Sequence, residues 1–252
     1  MSKIFEQLPK PNEGLVGHRG AAGLAPENTL CGFKKAASIG LNWVEFDVRL
    51  CASGEWVVIH DDTLERTTTG QGDISRTPYE IIKHLDAGSW FHTKYCNERV
   101  PLLREALACL ADLNIHPNIE IKPFHGNKLQ AMKSFLIELH TSWPKSLPPP
   151  LISSFDLELL TLLRGFAMEL PLGYLQDKLA LDNIEDVLKH GLNSLHCHHL
   201  AFKNNNFSYA IQKELPLLAY TVNEPDSIQT LLQAGIKAVF SDMTHLDVSG
   251  EH

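Results

Sequence analysis

Residues 43–61 read WVEFDVRLCASGEWVVIHD. The first eight, Trp43–Leu50, have the β-branched and aromatic content of a strand, and residues two apart on a strand point to the same face. Glu45 and Asp47 therefore aim one way together, a placement that needs a chemical reason if that face is buried. ASGE (52–55) is a turn signal, and WVVIH (56–60) reads as an extra strand running back beside the first. It brings His60-Asp61 to the same end as the two acids. Strand-like runs recur on either side: Leu15–Gly20, Pro117–Lys122, Pro150–Phe155, Leu170–Gln176, Leu192–His198, Pro216–Val222 and Ile236–Asp242. Helical stretches alternate with them, at Asn28–Ile39, Asn127–His140, Asp156–Phe166, Asp182–His190 and Pro225–Gln233. Asn28 is expected as the N-cap of the first and Gly235 as the C-terminal stop of the last. Eight strands with helices between them predict a (β/α)8 TIM barrel at close to its usual length, with a doubly wound open sheet as the alternative. One region breaks the alternation. Residues 62–100 are far longer than an ordinary strand–helix connection, rich in Thr, Gly and Asp, and close with LDAGSWF; they are expected to form an inserted lid after the second strand.

Length and composition fit one barrel domain over 1–252. The chain is 44% hydrophobic and 21% charged, with a net charge of −8. No Lys/Arg block is present, so nucleic acid is not an expected partner, because binding its backbone needs a basic face. The 5 cysteines are scattered, odd in number and form no C-x-x-C pair, which excludes a disulfide framework and a zinc ribbon. The opening MSKIFEQLPKPNEG lacks the basic and apolar regions of a signal peptide, and no run approaches the ~20 apolar residues of a membrane span. A cytoplasmic setting with no membrane span is expected. The sequence is silent on oligomeric state.

The residues that can carry chemistry fall at successive strand ends. His18-Arg19 closes the first strand, Glu45 and Asp47 lie on the second, His60 ends its hairpin partner, and Glu120 and Lys122 end the next. In a barrel these ends meet at one mouth. Carboxylates that converge cannot all stay ionised without a cation. Oxygen-only ligation favours a hard divalent ion, Mg²⁺ or Ca²⁺, over zinc. Two histidines supply an acid/base pair near neutral pH. Arg19 and Lys122 can hold a phosphate, the first as a fork and the second as a point charge. Taken singly, each residue has a structural explanation; three successive strand ends carrying these types together point to phosphodiester chemistry. LHCHHL (195–200) places His196 and His198 on one strand face, which leaves a second metal site or a merely polar strand end open. Phe155, Tyr174, Tyr220 and Trp90 are candidates to line the pocket.

VGHRGAAGLAPENTLCGFKKA (16–36), WVEFDVRLCASGEWVVIHDDTLERTTTGQGDIS (43–75), LDAGSWF (85–91) and NIEIKP (118–123) resemble the glycerophosphodiester phosphodiesterases; LISSF (151–155) and AYTVNEPDSIQTLLQAGIKAVFSD (219–242) match more loosely. The resemblance implies a barrel with a lid after the second strand, and hydrolysis of a small glycerophosphodiester to glycerol 3-phosphate and an alcohol. It implies a divalent ion (Mg²⁺, Ca²⁺ or Mn²⁺) on Glu45, Asp47 and Glu120, His18 and His60 as acid and base, and Arg19 and Lys122 on the phosphate. It further implies support from Asn28, and a two-step route through a cyclic phosphate. Tyr220 stands where the family more often has tryptophan. Pro123 and Phe124 reshape the following loop, leaving the preferred alcohol open. Two other readings remain: a related phosphodiesterase acting on lysophospholipids or a phospholipase-D-like enzyme that stops at a cyclic phosphate, and a non-catalytic metal- or phosphate-binding module.

Overall fold

The computed structural model describes residues 14–203 and 206–242. Eight parallel strands close on themselves. They are β1 (Leu15–Gly17), β2 (Trp43–Leu50), β4 (His116–Ile121), β5 (Leu151–Ser154), β6 (Leu172–Gln176), β7 (Ser194–His198), β8 (Leu217–Tyr220) and β9 (Ala238–Ser241). Closure is made by β1, which pairs with β2 on one side and β9 on the other. The ninth strand, β3 (Trp56–Val58), pairs antiparallel with β2 outside the ring. This is the (β/α)8 barrel with the predicted hairpin attached. Helices α1 (Leu30–Ser38), α3 (Leu103–Asp112), α4 (Lys128–Ser142), α5 (Leu157–Phe166), α6 (Leu181–Lys189), α7 (Asn206–Gln212) and α8 (Pro225–Gln233) lie between successive strands, and a short α2 (Tyr79–Ile82) lies in the insert.

The two-residue period of the strands divides the core. Alternate positions of β2, such as Val44, Phe46 and Val48, face the helices in one large apolar cluster with Phe33, Leu107, Leu110 and Phe135. Phe33 and Phe46 meet with ring centroids 5.3 Å apart, and Trp56 meets Phe135 edge-on at 5.5 Å. Each such side chain contributes about 1.5–3 kcal/mol by leaving water. The inward positions form a smaller apolar plug of Val16, Trp43, Leu151, Leu218, Ala238 and Phe240. Above that plug the inward positions turn polar, and there the site is built.

The N-cap expectation for α1 is corrected by one residue. Thr29, in extended conformation, accepts from Gly32 N at 3.1 Å and is the cap. Asn28 instead takes a left-handed conformation (φ 57°) and turns its amide inward. Gly235, just past α8, has φ 102° and ends that helix as expected.

Residues 62–100 are a packed unit and not a slack loop. Leu64, Ile74, Ile82, Ala87 and Val100 bury themselves with Val57, Ile59 and Leu102 in a separate small core. The LDAGSWF turn is held by Asp86, whose Oδ1 accepts from Gly88 N, Ser89 N and Ser89 Oγ at 2.6–2.9 Å. Tyr95 Oη donates to Leu24 O at 3.1 Å and ties the insert to the loop after β1.

Candidate active site

Register brings the acids together. Asp47 and Glu120 are direct partners across the β2–β4 ladder, and Glu45 pairs with Asn118 one step below. One oxygen from each of Glu45, Asp47 and Glu120 lies within 4.8 Å of the others, and all three residues are buried. The hairpin places His60 beside them: Ile59 N donates to Asp47 O at 3.1 Å, and Arg49 Nε donates to His60 O at 2.7 Å. His18 and Arg19 arrive from the turn after β1, where the strand proper ends at Gly17. That turn is sharp. Arg19 has φ 51°, and a Cβ on Gly17 would sit 2.0 Å from Gly20 O, so glycine is required there. The turn aims Arg19 N at Glu45 Oε2, at 2.9 Å. A left-handed non-glycine residue costs on the order of 1 kcal/mol, which the turn's hydrogen bonds offset.

Two cations face the three carboxylates. Lys122 Nζ lies 2.6 Å from Glu120 Oε1 and 3.0 Å from Asp47 Oδ1. Arg19 Nη1 donates to Glu27 Oε1 at 2.8 Å, and its Nε lies 3.6 Å from Asp47 Oδ2. Burial alone would raise the Asp47 carboxyl, but Lys122 and Arg19 hold it well below the usual range. Glu45 goes the other way: burial, then the charges of Asp47 and Glu120, push it well above the usual carboxylate value. Glu120 is also raised, by burial and Asp47, against the pull of Lys122. Glu45 Oε1 is buried and accepts no hydrogen bond. A buried carboxylate oxygen without a donor, beside two more carboxylates, is an arrangement that a hard cation completes.

Each histidine has its own carboxylate. Asp61 Oδ1 lies 2.7 Å from His60 Nδ1, and Asp242 Oδ1 lies 2.6 Å from His18 Nδ1. Asp242 is in turn fixed by Asn223, which donates from Nδ2 to Oδ2 at 3.1 Å and accepts Asp242 N at 2.8 Å. Burial would raise Asp242, but the bonds from His18 and Asn223 hold it below its ordinary value. His18 Nε2 is left facing Glu45 Oε2 at 3.9 Å. Burial lowers His60, overriding the pull of Asp47. Asp242 and Asn223 were not singled out in the sequence, where FSD at a strand end and VNEP were the available signals.

A cavity of about 530 Å³, counting its open mouth, is lined by His18, Arg19, Glu45, His60, Glu120 and Lys122 together with Phe155 and Tyr220. The Phe155 and Tyr220 rings meet edge-on at 6.1 Å, and Tyr220 Oη donates to Asp177 Oδ1 at 3.2 Å. Asn28 does not line this cavity: its Nδ2 donates to Asp47 Oδ2 at 2.8 Å and its Oδ1 accepts Asp47 N at 3.1 Å, so it supports a carboxylate. Trp90 and Tyr174 also lie off the cavity. Trp90 donates to Ala87 O within the insert, and Tyr174 joins the outer core. His196 sits at the cavity floor, fully buried, with Nε2 2.9 Å from Ser194 Oγ. It occupies space that only Gly173 leaves open, since a Cβ there would be 2.4 Å from His196 Nε2. His198 stacks with His199 at 4.4 Å. Among the described residues the acidic triad is the one group of three or more such side chains with metal-ligand proximity.

Comparison with known proteins gives this constellation a lineage. Residues 18–246 match the model of the glycerophosphoryl diester phosphodiesterase family. The chain belongs to that family. A glycerophosphodiester phosphodiesterase of Caldanaerobacter subterraneus subsp. tengcongensis is 31% identical over 235 residues, covering 90% of this chain and 93% of the relative. A phosphodiesterase of Oleispira antarctica, solved with the product sn-glycerol-3-phosphate, superposes with a TM-score of 0.90 at 34% identity, covering 96% of both chains. A glycerophosphodiester phosphodiesterase from Thermotoga maritima gives a TM-score of 0.73 at 28% identity, over 92% of this chain and 95% of that one. As a member of this family the chain is a phosphoric diester hydrolase. No helix among the described residues is long and apolar enough to cross a membrane.

Proposed function

We propose that this phosphodiesterase hydrolyses small glycerophosphodiesters, the deacylated headgroups of phospholipids, to glycerol 3-phosphate and an alcohol, with His18 and His60 moving the protons. The observation that carries this reading is that both histidines line one cavity, each with its Nδ1 held by its own carboxylate. That pairing fixes the ring and its tautomer and leaves Nε2 for the reacting oxygens. A phosphate-binding module would need neither pairing.

Arg19 is the phosphate ligand in this reading. Its backbone is clamped to Glu45 and its guanidinium to Glu27, so its remaining N–H groups are presented without further loss of side-chain entropy. Lys122 adds positive charge from a buried position on the cavity wall. Glu45, Asp47 and Glu120 would hold a divalent ion, Mg²⁺, Ca²⁺ or Mn²⁺; when bound, it polarises the phosphoryl oxygen and the glycerol hydroxyls. Asn28 keeps Asp47 oriented toward that position. Phe155 and Tyr220 are the apolar wall against which glycerol or the leaving group packs.

The reaction runs in two steps. One histidine takes the proton of the glycerol 2-hydroxyl as that oxygen attacks phosphorus, and the other protonates the departing alkoxide. Water then opens the cyclic phosphate with the roles reversed. Residues 62–100 serve as a lid-like insert within a single domain, and the five unpaired cysteines suit a cytoplasmic setting.

The direct test is incubation of the purified protein with glycerophosphocholine, with and without EDTA, detecting glycerol 3-phosphate through a coupled dehydrogenase. Metal-dependent release is expected, lost in His18→Ala and His60→Ala. No release with Mg²⁺, Mn²⁺ or Ca²⁺ would refute this substrate class and turn attention to lysophospholipids; full activity in both variants would refute the proton-transfer roles.

A further inference from the structure

Arg66 carries the insert to the edge of the active site. Arg66, in TLERTTTG (63–70), grips two carboxylates with forks. Nη1 and Nη2 donate to Glu27 Oε2 and Oε1 at 2.7 and 2.8 Å; Nε and Nη2 donate to Asp61 Oδ2 and Oδ1 at 2.6 and 2.8 Å. Neither carboxylate is an idle surface group. Glu27 Oε1 also accepts from Arg19 Nη1 at 2.8 Å, and Asp61 Oδ1 also holds His60 Nδ1 at 2.7 Å. The backbone that carries Arg66 is fixed: Leu64 is buried in the insert's core, Thr68 Oγ1 donates to Leu64 O at 2.6 Å, and Thr69 N donates to Asp86 O at 3.0 Å.

We propose that Arg66 is a positioning residue that keeps Glu27 from capturing Arg19 and holds Asp61 square to His60, so that the insert sets the geometry of both the phosphate ligand and a proton-transfer residue. Isolated exposed ion pairs contribute little, but double forks on carboxylates that are mostly enclosed are of a different kind: the Glu27 side chain is only 9% exposed. The competition is specific. With Arg66 in place, Glu27 Oε2 has a donor and Arg19 gives Glu27 a single N–H. Without it, Glu27 Oε2 is left without a partner, and the nearest guanidinium able to supply a second N–H is that of Arg19. A bidentate Arg19–Glu27 pair then takes N–H groups away from the phosphate. Asp61, retaining only His60, is free to rotate.

This inference rests on the reading of Arg19 as a phosphate ligand, so its test has a binding arm separate from turnover. Wild type, Arg66→Ala, Arg66→Lys, Glu27→Gln and the Arg66→Ala/Glu27→Gln double variant are compared. The readouts are KM and kcat on glycerophosphocholine, and the affinity for glycerol 3-phosphate by calorimetry. Arg66→Ala is expected to raise KM and weaken product binding about tenfold and to lower kcat. Arg66→Lys should stay closer to Arg66→Ala than to wild type, because an ammonium cannot fork to two carboxylates. The deciding variant is the double one. Weakening the competitor with Glu27→Gln should bring KM and product affinity back toward wild type, whereas a merely structural role predicts losses that multiply. Wild-type KM and product affinity in Arg66→Ala, or multiplying losses in the double variant, would overturn the proposal. If wild type releases no glycerol 3-phosphate, the substrate reading falls, and the calorimetric arm alone decides the role of Arg66.

Discussion

Replacing Glu45 by glutamine should make the protein more stable in EDTA while removing its response to divalent ions. The ligand oxygens of Glu45, Asp47 and Glu120 lie within 4.8 Å of one another in buried surroundings. At an effective dielectric of ~20, two like unit charges at that separation repel by about 3.5 kcal/mol. Glu45 has two such neighbours, so the gross strain is about twice that. Arg19, which gives Glu45 its backbone N–H at 2.9 Å and faces it with a guanidinium, offsets much of it. Lys122 already screens Asp47 and Glu120. A net penalty of about 1–3 kcal/mol remains. Glutamine keeps the shape and still accepts from Arg19 N, so the variant recovers that penalty. In a domain of this size each kcal/mol moves Tm by about 2–4 °C, so Glu45→Gln should melt roughly 2–12 °C above wild type in EDTA. Wild type should gain about 2.7 kcal/mol when Mg²⁺ or Ca²⁺ is present at ~100 times its Kd. The variant should gain little. Scanning calorimetry of both proteins in EDTA and in excess ion measures all four values. A variant that melts below wild type in EDTA, with equal ion-induced shifts in the two proteins, would show that Arg19 and Lys122 fully compensate the triad and that no cation belongs there.

Three further outcomes are expected. Asp242→Asn should lower kcat by roughly 10²-fold with little change in KM, because the amide no longer fixes the His18 tautomer; an unchanged kcat would remove Asp242 from the mechanism. Gly173→Ala should cost about 1–3 kcal/mol, seen in urea denaturation, since the new methyl collides with the buried His196 ring; neutral behaviour would mean the ring moves freely. Burial depresses His116 to about 4 and His196 to about 3, so both are neutral in the folded protein and take up protons first when unfolded. Their contribution to stability is therefore complete above pH 6.5 and declines as pH falls toward 4, by up to about 1.4 kcal/mol per pH unit for each. Denaturation midpoints between pH 7 and 5 should fall less steeply in His116→Phe than in wild type, and parallel slopes would exclude His116 from the acid sensitivity.

The parts of the site that sequence reveals are those written in strand period. Glu45 with Asp47 and Glu120 with Lys122 are two apart, and the barrel's parallel register then sets Asp47 opposite Glu120. The parts it hides are long-range pairs with no local pattern. His18 and Asp242 are 224 residues apart, and Glu27 and Arg66 are 39 apart. A single aspartate ending the last strand looks like any polar strand end until closure of the barrel brings β9 beside β1. The misplaced N-cap has a similar origin. Asn28 and Thr29 are both good caps, and what separates them is that Asp47, on another element, claims the Asn28 amide with two hydrogen bonds. The insert was visible as a break in rhythm, but its own small core was not, because Leu64, Ile74, Ile82 and Ala87 follow neither strand nor helix spacing.

The charge of the site follows from these pairings. The chain carries −8 overall, yet must hold an anionic phosphate. Arg66 neutralises Glu27 and Asp61, the two carboxylates that would otherwise occupy Arg19 and pull on His60. Lys122 is shared by Asp47 and Glu120, so its charge is largely spent on the protein's own acids. What remains is Arg19 against Glu45, close to neutral and by itself a poor trap for a phosphodiester. A divalent ion on the triad would shift that balance to positive while relieving the repulsion that raises Glu45, so its binding would improve both stability and phosphate affinity. The acidic surface elsewhere costs the site little, because beyond about 8 Å at physiological salt its field is screened, whereas an ion held by the triad would act at short range.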